Sequence, residues 1–288
     1  MPGIAPVQMT LKGCLRLSGT GLHSGHDTHV AIHPAPADTG IMFYDGPCGI
    51  QGLVGNVVDT SRGTTIGCNG SKVRTIEHLM AALRGMGVDN AVVEVTGSEM
   101  PALDGSAFPY VKAIGAAGLV ELDAERRTIR LTEPVCVQRG DSFILAVPAP
   151  SLRITYVMSY AHPMIGSQTA TYEHSDCDFG QDFAPARTFV LYEEVAGLLD
   201  SKLARGGTVD NVIVVWQDRL SSDLRFPDEL VRHKVVDMVG DLSLLGCQLQ
   251  AEVLAVKSGH SLNIEFARTV AGLLAGESHG AEIEAVTS

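Results

Sequence analysis

The sequence predicts an α+β fold built from two related domains, each combining a β-sheet with helices. The first observation is an internal repeat: a histidine-bearing helix ends at glycine and leads into an apolar strand, over 75–95 and again over 231–256. The second is the polar stretch Leu119–Arg127, which separates two patterned regions and suits a domain boundary. We therefore expect each domain to contribute one histidine-bearing helix to the interface between the two domains.

The same observations set the domain boundaries. We expect an N-terminal domain over 1–122, a C-terminal domain over 128–275 and a polar tail over 276–288. Residues 44–69 are glycine-rich with few strong periods, which indicates a loop or small insertion of the kind that often borders a site. Residues 190–216 hold a helix between extended pieces, with more apolar surface than a connection needs.

In the N-terminal half, strand-like alternation covers 11–17 and 28–33, on either side of a glycine-rich turn. Apolar residues at i, i+3, i+4 and i+7 then predict a helix that starts at Thr75. Asn90–Val95 has the composition of a strand, and a further helix is expected over Val111–Ala117. These elements make up one sheet-and-helix unit.

The C-terminal half repeats this mixture of elements. Strands are expected at six places: Ile129–Leu131, Val135–Gln138, Phe143–Val147, Ile154–Tyr160, Asn211–Trp216 and Gln250–Val256. Helices are expected at three: Tyr192–Ala204, Asp228–Gly246 and Leu262–Leu274.

Composition and charge exclude several classes of protein. A net charge of −12 over 288 residues argues against a nucleic acid or an anionic membrane as partner. The six cysteines are scattered without a C-x-x-C pair, which favours free thiols in a reducing compartment. No signal peptide is visible, and the longest apolar runs are far short of the ~20 residues that a membrane span needs. We therefore expect a cytoplasmic protein without an integral membrane segment. We also expect it to be a monomer.

The helix Asp228–Gly246 carries an unusual polar stripe. Apolar residues cover most of its circumference, which is typical of a buried helix. The remaining sector, roughly 100° wide, holds four ionisable residues: His233, Lys234, Asp237 and Asp241. Buried ionisable groups need a partner, a metal or a shifted pKa. His233 and Asp237 lie one turn apart, so both can reach a single ion, although polar residues lining a lid or a domain seam would give the same pattern.

A catalytic zinc site typically has three protein ligands and a water molecule. His78 completes such a set if the two histidine-bearing helices face one another. Glu77, beside it, can accept the proton of the water as general base. The alternative for both residues is a solvated first turn, in which the helix dipole favours the glutamate.

Three more residues fit chemistry at a carbonyl group, which the ion would polarise while lowering the pKa of bound water towards ~7. His260 follows a glycine at a strand end, a suitable place for a general acid or for a cation that stabilises an oxyanion. Asp241, one turn beyond the predicted ligand Asp237, can orient that imidazole by a hydrogen bond. Thr188 offers a hydroxyl donor to the same oxyanion.

Six short motifs occur in the order found in a known family. They are Gly21–Gly25, Thr75–Leu79, Asp104–Ser106, Ala186–Phe189, Val231–Asp241 and Lys257–His260. On these motifs, which run from about residue 10 to 270, the chain resembles the UDP-3-O-acyl-N-acetylglucosamine deacetylase family. These zinc amidases commit Gram-negative bacteria to the synthesis of lipid A.

The resemblance implies a role for each chemistry-bearing residue. Zinc would be held by three ligands, His78, His233 and Asp237. The catalytic groups would be Glu77 as general base, His260 as the protonated partner oriented by Asp241, and Thr188 at the oxyanion. Substrate would be bound by Lys234 on the sugar or diphosphate side, Phe189 against the glucosamine ring, and Tyr160 and Lys257 near the nucleotide.

The family's architecture implies helices sandwiched between two sheets, with one insertion in each domain. Residues 44–69 match the insertion near the active site. Residues 190–216 match a βαβ insertion that forms a hydrophobic passage for the fatty acyl chain, which would account for their apolar surface.

The implied reaction is hydrolysis of the N-acetyl group of UDP-3-O-(3-hydroxyacyl)-N-acetylglucosamine to a free 2-amine and acetate. This is the committed step of lipid A biosynthesis, and it uses Zn²⁺ and a small-molecule substrate. Two alternatives remain open: a zinc amidase of the same fold acting on another acetylated sugar, and a non-catalytic relative that binds metal or nucleotide-sugar. The presence of Glu77 and His260 beside three ligands argues against the second, because metal binding alone needs neither.

Overall fold

The computed structural model describes residues 6–274 and 281–285. The elements of its first half, in chain order, are β1 (Val7–Leu11), β2 (Leu15–Thr20), β3 (Asp27–Pro34), β4 (Ile41–Tyr44), β5 (Gly49–Gln51), β6 (Val57–Asp59), β7 (Thr65–Cys68), β8 (Ser71–Val73), α1 (Glu77–Gly85), β9 (Ala91–Thr96), α2 (Phe108–Ala117) and β10 (Leu119–Glu125). Those of its second half are β11 (Arg127–Leu131), β12 (Val135–Arg139), β13 (Ser142–Pro148), β14 (Arg153–Ser159), β15 (Ser167–Glu173), α3 (Phe179–Asp182), β16 (Phe189–Leu191), α4 (Tyr192–Asp200), β17 (Ile213–Val215), α5 (Glu229–Ser243), β18 (Gln248–Val256), α6 (His260–Leu274) and β19 (Ala281–Ala285).

Two large sheets organise the chain. The N-terminal sheet has five strands in the order β2-β3-β9-β4-β5, in which β4 runs parallel to β9 and the other neighbours are antiparallel. The C-terminal sheet has seven: β12-β13-β18-β11-β19, with β14 pairing to both β18 and β15. Buried positions alternate along β3 and β9, as expected where one face of a sheet covers a core.

Helices from the two halves pack on one another between these sheets. α1 packs against α5; α2 contacts α1 and β2, while α5 contacts α6, β14 and β15. The buried apolar side chains of both halves join in one continuous core. The predicted α+β class of two sheet-and-helix units is therefore confirmed.

The helix predicted to be buried on most sides is α5. Thirteen of its fifteen residues are buried, including the polar residues His233, Asp237 and Asp241. The apolar side chains that surround this stripe anchor the helix in the core. Among the described residues, no helix has the length and hydropathy needed to span a membrane.

Both predicted insertions are small folded units. Residues 44–69, expected as a loop or small insertion, contain β5, β6 and β7; β6, β7 and β8 form a three-stranded antiparallel sheet. Residues 190–216 include α4 and β17, and β17 pairs in parallel with β16. The crossover from β16 through α4 to β17 is thus a βαβ unit.

Two polar stretches contain paired strands. Leu119–Arg127, predicted as a domain boundary, contains β10, which pairs antiparallel with β1, and β11 begins after Arg126 alone. The tail predicted over 276–288 contains β19, which pairs antiparallel with β11; its other residues, 276–280 and 286–288, lie outside the described part. Backbone pairing defines both strands, and it requires no apolar face. The domain boundaries at 122 and 128 stay a prediction.

Candidate active site

The candidate active site lies where the first turn of α1 meets the middle of α5. α5 has glycine at position 240, and a Cβ built there would lie 2.1 Å from the carbonyl oxygen of Glu77. Only a residue without a side chain permits such an approach between the two backbones. The contact brings Glu77 and His78 of α1 beside the polar stripe of α5.

Three buried side chains form a group able to hold a metal ion. His78, His233 and Asp237 each offer one ligand atom, and these atoms lie within 4.8 Å of one another. Oδ1 of Asp237 is 3.3 Å from Nε2 of His233 and 3.6 Å from Nε2 of His78. Bonds of about 2.0–2.1 Å in a tetrahedron place neighbouring ligand atoms about 3.4 Å apart, so this spacing fits zinc. Two imidazoles and a carboxylate are also a donor set found in catalytic zinc sites.

His233 is prepared to act as a ligand. Its Nδ1–H donates a hydrogen bond to the carbonyl oxygen of Ala186 at 3.0 Å, which leaves the lone pair of Nε2 directed towards Asp237. Burial lowers the pKa of His233 to about 4. The ring is therefore neutral at neutral pH, as metal ligation requires.

Asp237 uses its two oxygens differently. Oδ1 faces the two histidines, and Oδ2 accepts a hydrogen bond from Nζ of Lys234 at 2.8 Å. Burial disfavours the charged carboxylate, but the neighbouring His233 and Lys234 hold its pKa well below the usual value. Burial likewise opposes the charge of Lys234, and the carboxylate of Asp237 raises that pKa. Both groups are thus ionised at neutral pH.

Glu77 and His260 face one another beside the metal-ligand group. Oε1 of Glu77 is 4.0 Å from Nε2 of His260, which is longer than a direct hydrogen bond. Nε2 of His260 is also 4.0 Å from Oδ2 of Asp237. Burial raises the pKa of Glu77, and this rise is partly offset by the positive charge of the neighbouring His260. The raised pKa makes this carboxylate a stronger base and so favours its uptake of a proton.

His260 is held in its protonated form. Its Nδ1–H donates to Oδ2 of Asp241 at 2.9 Å. Burial alone would lower its pKa, but Asp241, with Asp237 and Glu77 further away, raises the pKa to about 10. Asp241 is itself fully buried, and it also accepts hydrogen bonds from the side chains of Thr64 and Asn263.

The predicted substrate residues are only partly brought together. Nζ of Lys234 lies 5.6 Å from the centre of the Phe189 ring, and Tyr160 meets the same ring edge-on at 6.0 Å. Thr188 lies between Phe189 and Ala186, the residue whose carbonyl oxygen accepts the hydrogen bond from His233. The backbone N–H of Thr188 donates to the carbonyl of Gly105. Lys257 is exposed and forms an ion pair with Asp141 at 2.7 Å. This ion pair involves neither Phe189 nor Tyr160.

Sequence reasoning missed several residues that support the site. Thr64 comes from the glycine-rich insertion, where no periodic pattern marks it. Asn263 lies three residues after His260 on α6, and this helical spacing was a usable signal. Arg187 forms a buried ion pair with Glu229 at 2.8 Å and thereby fixes the loop containing Ala186 to the start of α5.

A buried His-His-Asp group beside a carboxylate and an imidazolium defines the class of metal-dependent hydrolases. Comparison with known proteins agrees with this class. The family model described as LpxC, UDP-3-O-acyl N-acetylglycosamine deacetylase, matches residues 8–272, and the chain belongs to this family.

Curated relatives cover nearly the same length. The UDP-3-O-acyl-N-acetylglucosamine deacetylase of Thermodesulfovibrio yellowstonii is 40% identical to this chain over 266 residues, which is 91% of each protein. The protein of the same name from Geotalea uraniireducens is 42% identical, over 90% of this chain and 86% of its own. A third, from Oleidesulfovibrio alaskensis, is 41% identical over 91% of this chain and 88% of its own.

Proposed function

We propose that this protein hydrolyses the N-acetyl group of UDP-3-O-acyl-N-acetylglucosamine, using zinc bound by His78, His233 and Asp237. Membership of the family makes it an enzyme, a deacetylase of lipid A biosynthesis. The buried His-His-Asp group is the observation that supports this assignment of the metal ligands. Two imidazole nitrogens favour zinc over magnesium or calcium, which prefer oxygen ligands.

When bound, zinc would lower the pKa of a water molecule and polarise the amide carbonyl of the substrate. Glu77 takes up the proton of the attacking water, and its raised pKa supports this role. His260 stays protonated through its bond to Asp241, so it can stabilise the oxyanion and then donate a proton to the leaving amine. Thr188 directs its hydroxyl to the same oxyanion.

The substrate residues are assigned by their chemistry. Lys234 supplies a local positive charge towards the sugar and diphosphate, which a chain of net charge −12 needs for an anionic ligand. Phe189 lies against the glucosamine ring, with Tyr160 beside it. Lys257 is assigned to the nucleotide side, and its ion pair with Asp141 would open when the ligand binds.

The acyl chain is assigned to the βαβ insertion over 190–216. None of the residues of α4 is buried, although the helix carries several apolar side chains. Tyr192 and Leu199 are 53% and 50% exposed. This exposed apolar surface supports a passage for a fatty acyl group.

The enzyme is further proposed to work in the cytoplasm as a monomer. All six of its cysteines are free, which suits a reducing compartment.

The decisive experiment measures acetate released from UDP-3-O-acyl-N-acetylglucosamine by the zinc-loaded protein, with and without a chelator. We expect release that stops on chelation and returns with zinc. UDP-N-acetylglucosamine, which lacks the acyl chain, is the matched control and should react far more slowly. No release from the acylated substrate, with release from another acetylated sugar, would favour an amidase of different specificity. Metal binding without hydrolysis of any such substrate would indicate a non-catalytic relative.

A further inference from the structure

Thr64 contacts both carboxylates of the proposed acid–base machinery. Its hydroxyl donates to Oδ1 of Asp241 at 2.6 Å, and its backbone N–H donates to Oε2 of Glu77 at 2.9 Å. Its carbonyl oxygen accepts from the backbone N–H of Ile76, at the start of α1. Thr64 is fully buried, so every polar group it carries is used inside the protein.

The contact from Thr64 completes the set of hydrogen-bond donors around the buried carboxylate of Asp241. Oδ2 of Asp241 already accepts from His260 and Asn263, and Thr64 supplies the donor for Oδ1. An ionised carboxylate only accepts hydrogen bonds, so the hydroxyl hydrogen must point at Asp241. Without that donor, one oxygen of a fully buried carboxylate loses its partner, which favours rotation of the group.

The contact to Glu77 is equally close. A Cβ at Gly63, the residue before Thr64, would lie 2.9 Å from Oε1 of Glu77. The backbone of this segment therefore lies directly against the carboxylate and limits where it can move. One short segment of the first insertion thus touches Glu77 on α1 and Asp241 on α5.

We propose that Thr64 is a positioning residue that sets the orientation of the acid–base pair Glu77 and His260. It holds Glu77 directly and holds His260 through Asp241. This inference rests on the proposed function, because it assigns Thr64 a role in the same reaction. The role is one of geometry, so removal of the hydroxyl should slow turnover more than it weakens binding of substrate or metal.

The test compares Thr64→Val, which removes the hydroxyl at nearly constant volume, with Thr64→Ser, which keeps it. Thr65→Val is the matched control: it makes the same chemical change on the next residue, a buried threonine at the start of β7 that is not among the hydrogen-bond partners of Glu77, Asp241 or His260 in the described residues. We expect Thr64→Val to lower kcat by roughly 10- to 100-fold, the scale of a misplaced catalytic group. KM and zinc stoichiometry should be unchanged, and Thr64→Ser and Thr65→Val should keep most of the wild-type kcat.

A second measurement does not depend on activity. The Nδ1–H proton of His260, bonded to Asp241, should give a downfield ¹H NMR resonance in the zinc-loaded wild-type protein. We expect Thr64→Val to shift this resonance, and Thr64→Ser and Thr65→Val to leave it in place. Absence of acetate release by the wild type would refute the proposed function, while the resonance would still decide the positioning role.

Several outcomes would overturn the inference. One is wild-type kcat in Thr64→Val, and another is an unmoved His260 resonance in that variant. A third is an equal loss in Thr65→Val, which would indicate a general disturbance of this segment. Loss of zinc or an unfolded protein in Thr64→Ser would also count against it, since that variant keeps the hydroxyl.

Discussion

Replacing Gly240 by alanine should separate the two helices that form the candidate site. The new Cβ would lie 2.1 Å from the carbonyl oxygen of Glu77, whereas ordinary contact begins at 3.4 Å, so about 1.3 Å of movement is needed. The obstructing atoms belong to the Glu77 backbone, and no side-chain rotation can relieve the overlap. His78, the next residue on α1, would move with that backbone away from Asp237 on α5.

The expected magnitude follows from this displacement. Overpacking of a well-packed core typically lowers the free energy of unfolding by about 1–3 kcal/mol, and an overlap with backbone belongs at the upper end. For a chain of this size, 2–3 kcal/mol corresponds to a fall in Tm of about 3–5 °C. A shift of roughly 1 Å in catalytic geometry can also reduce turnover by about 100-fold.

The assay measures Tm, zinc stoichiometry and acetate release for Gly240→Ala beside Gly115→Ala. Gly115 is also a helical glycine, on α2, but a Cβ there meets nothing within 4 Å. Gly115→Ala should therefore keep full activity and gain up to about 1 kcal/mol, the difference between glycine and alanine in a helix. A Gly240→Ala protein with wild-type Tm, zinc content and turnover would refute the close approach of α1 and α5.

Three further predictions concern the proton-transfer groups and the neighbouring loop. Glu77→Ala should keep near-normal zinc content and lose at least 10²–10⁴-fold in turnover, the usual contribution of a general base; full activity at full zinc content would contradict that role. Activity should rise with pH as Glu77 loses its proton and fall at alkaline pH as His260, whose pKa is raised to about 10 in the metal-free protein, loses its own. The charge of the metal shifts both limbs to lower pH, and a His260→Gln variant that kept the alkaline limb would refute its assignment. Arg187→Met should lower the free energy of unfolding by about 3–5 kcal/mol in denaturant titrations, because it leaves the buried Glu229 carboxylate unpaired. The control Arg127→Met removes an exposed ion pair and should cost less than about 1 kcal/mol; equal losses would show that burial does not decide the effect.

The sequence revealed one half of the candidate site more clearly than the other. Periodicity marked α5 as a buried helix with a polar stripe, because burial and helical spacing are both local properties. The sequence around Glu77 and His78 also fitted a solvated first turn of a helix. Only their packing against α5, which depends on the tertiary fold, shows that both are buried.

Thr64 and β10 show why other features escaped prediction. Thr64 contacts residues 13 and 177 positions away along the chain, and no local pattern records such contacts. β10 is a strand with mostly exposed or half-buried side chains, so its sequence lacks a clear apolar alternation. Its pairing with β1 comes from backbone hydrogen bonds, to which all residues except proline can contribute donors.

The division of the ligand group between α1 and α5 has a thermodynamic consequence. A metal ion that binds both helices binds only the docked arrangement, so its binding free energy is added to the stability of the α1–α5 interface. At a free metal concentration 100 times the Kd, this amounts to about 2.7 kcal/mol. The coupling is reciprocal: the factor by which the metal stabilises the docked helices is also the factor by which docking strengthens metal binding. A substitution that loosens the α1–α5 interface therefore weakens metal affinity. Zinc affinity is therefore a sensitive measure of helix docking, even for substitutions far from the ligands.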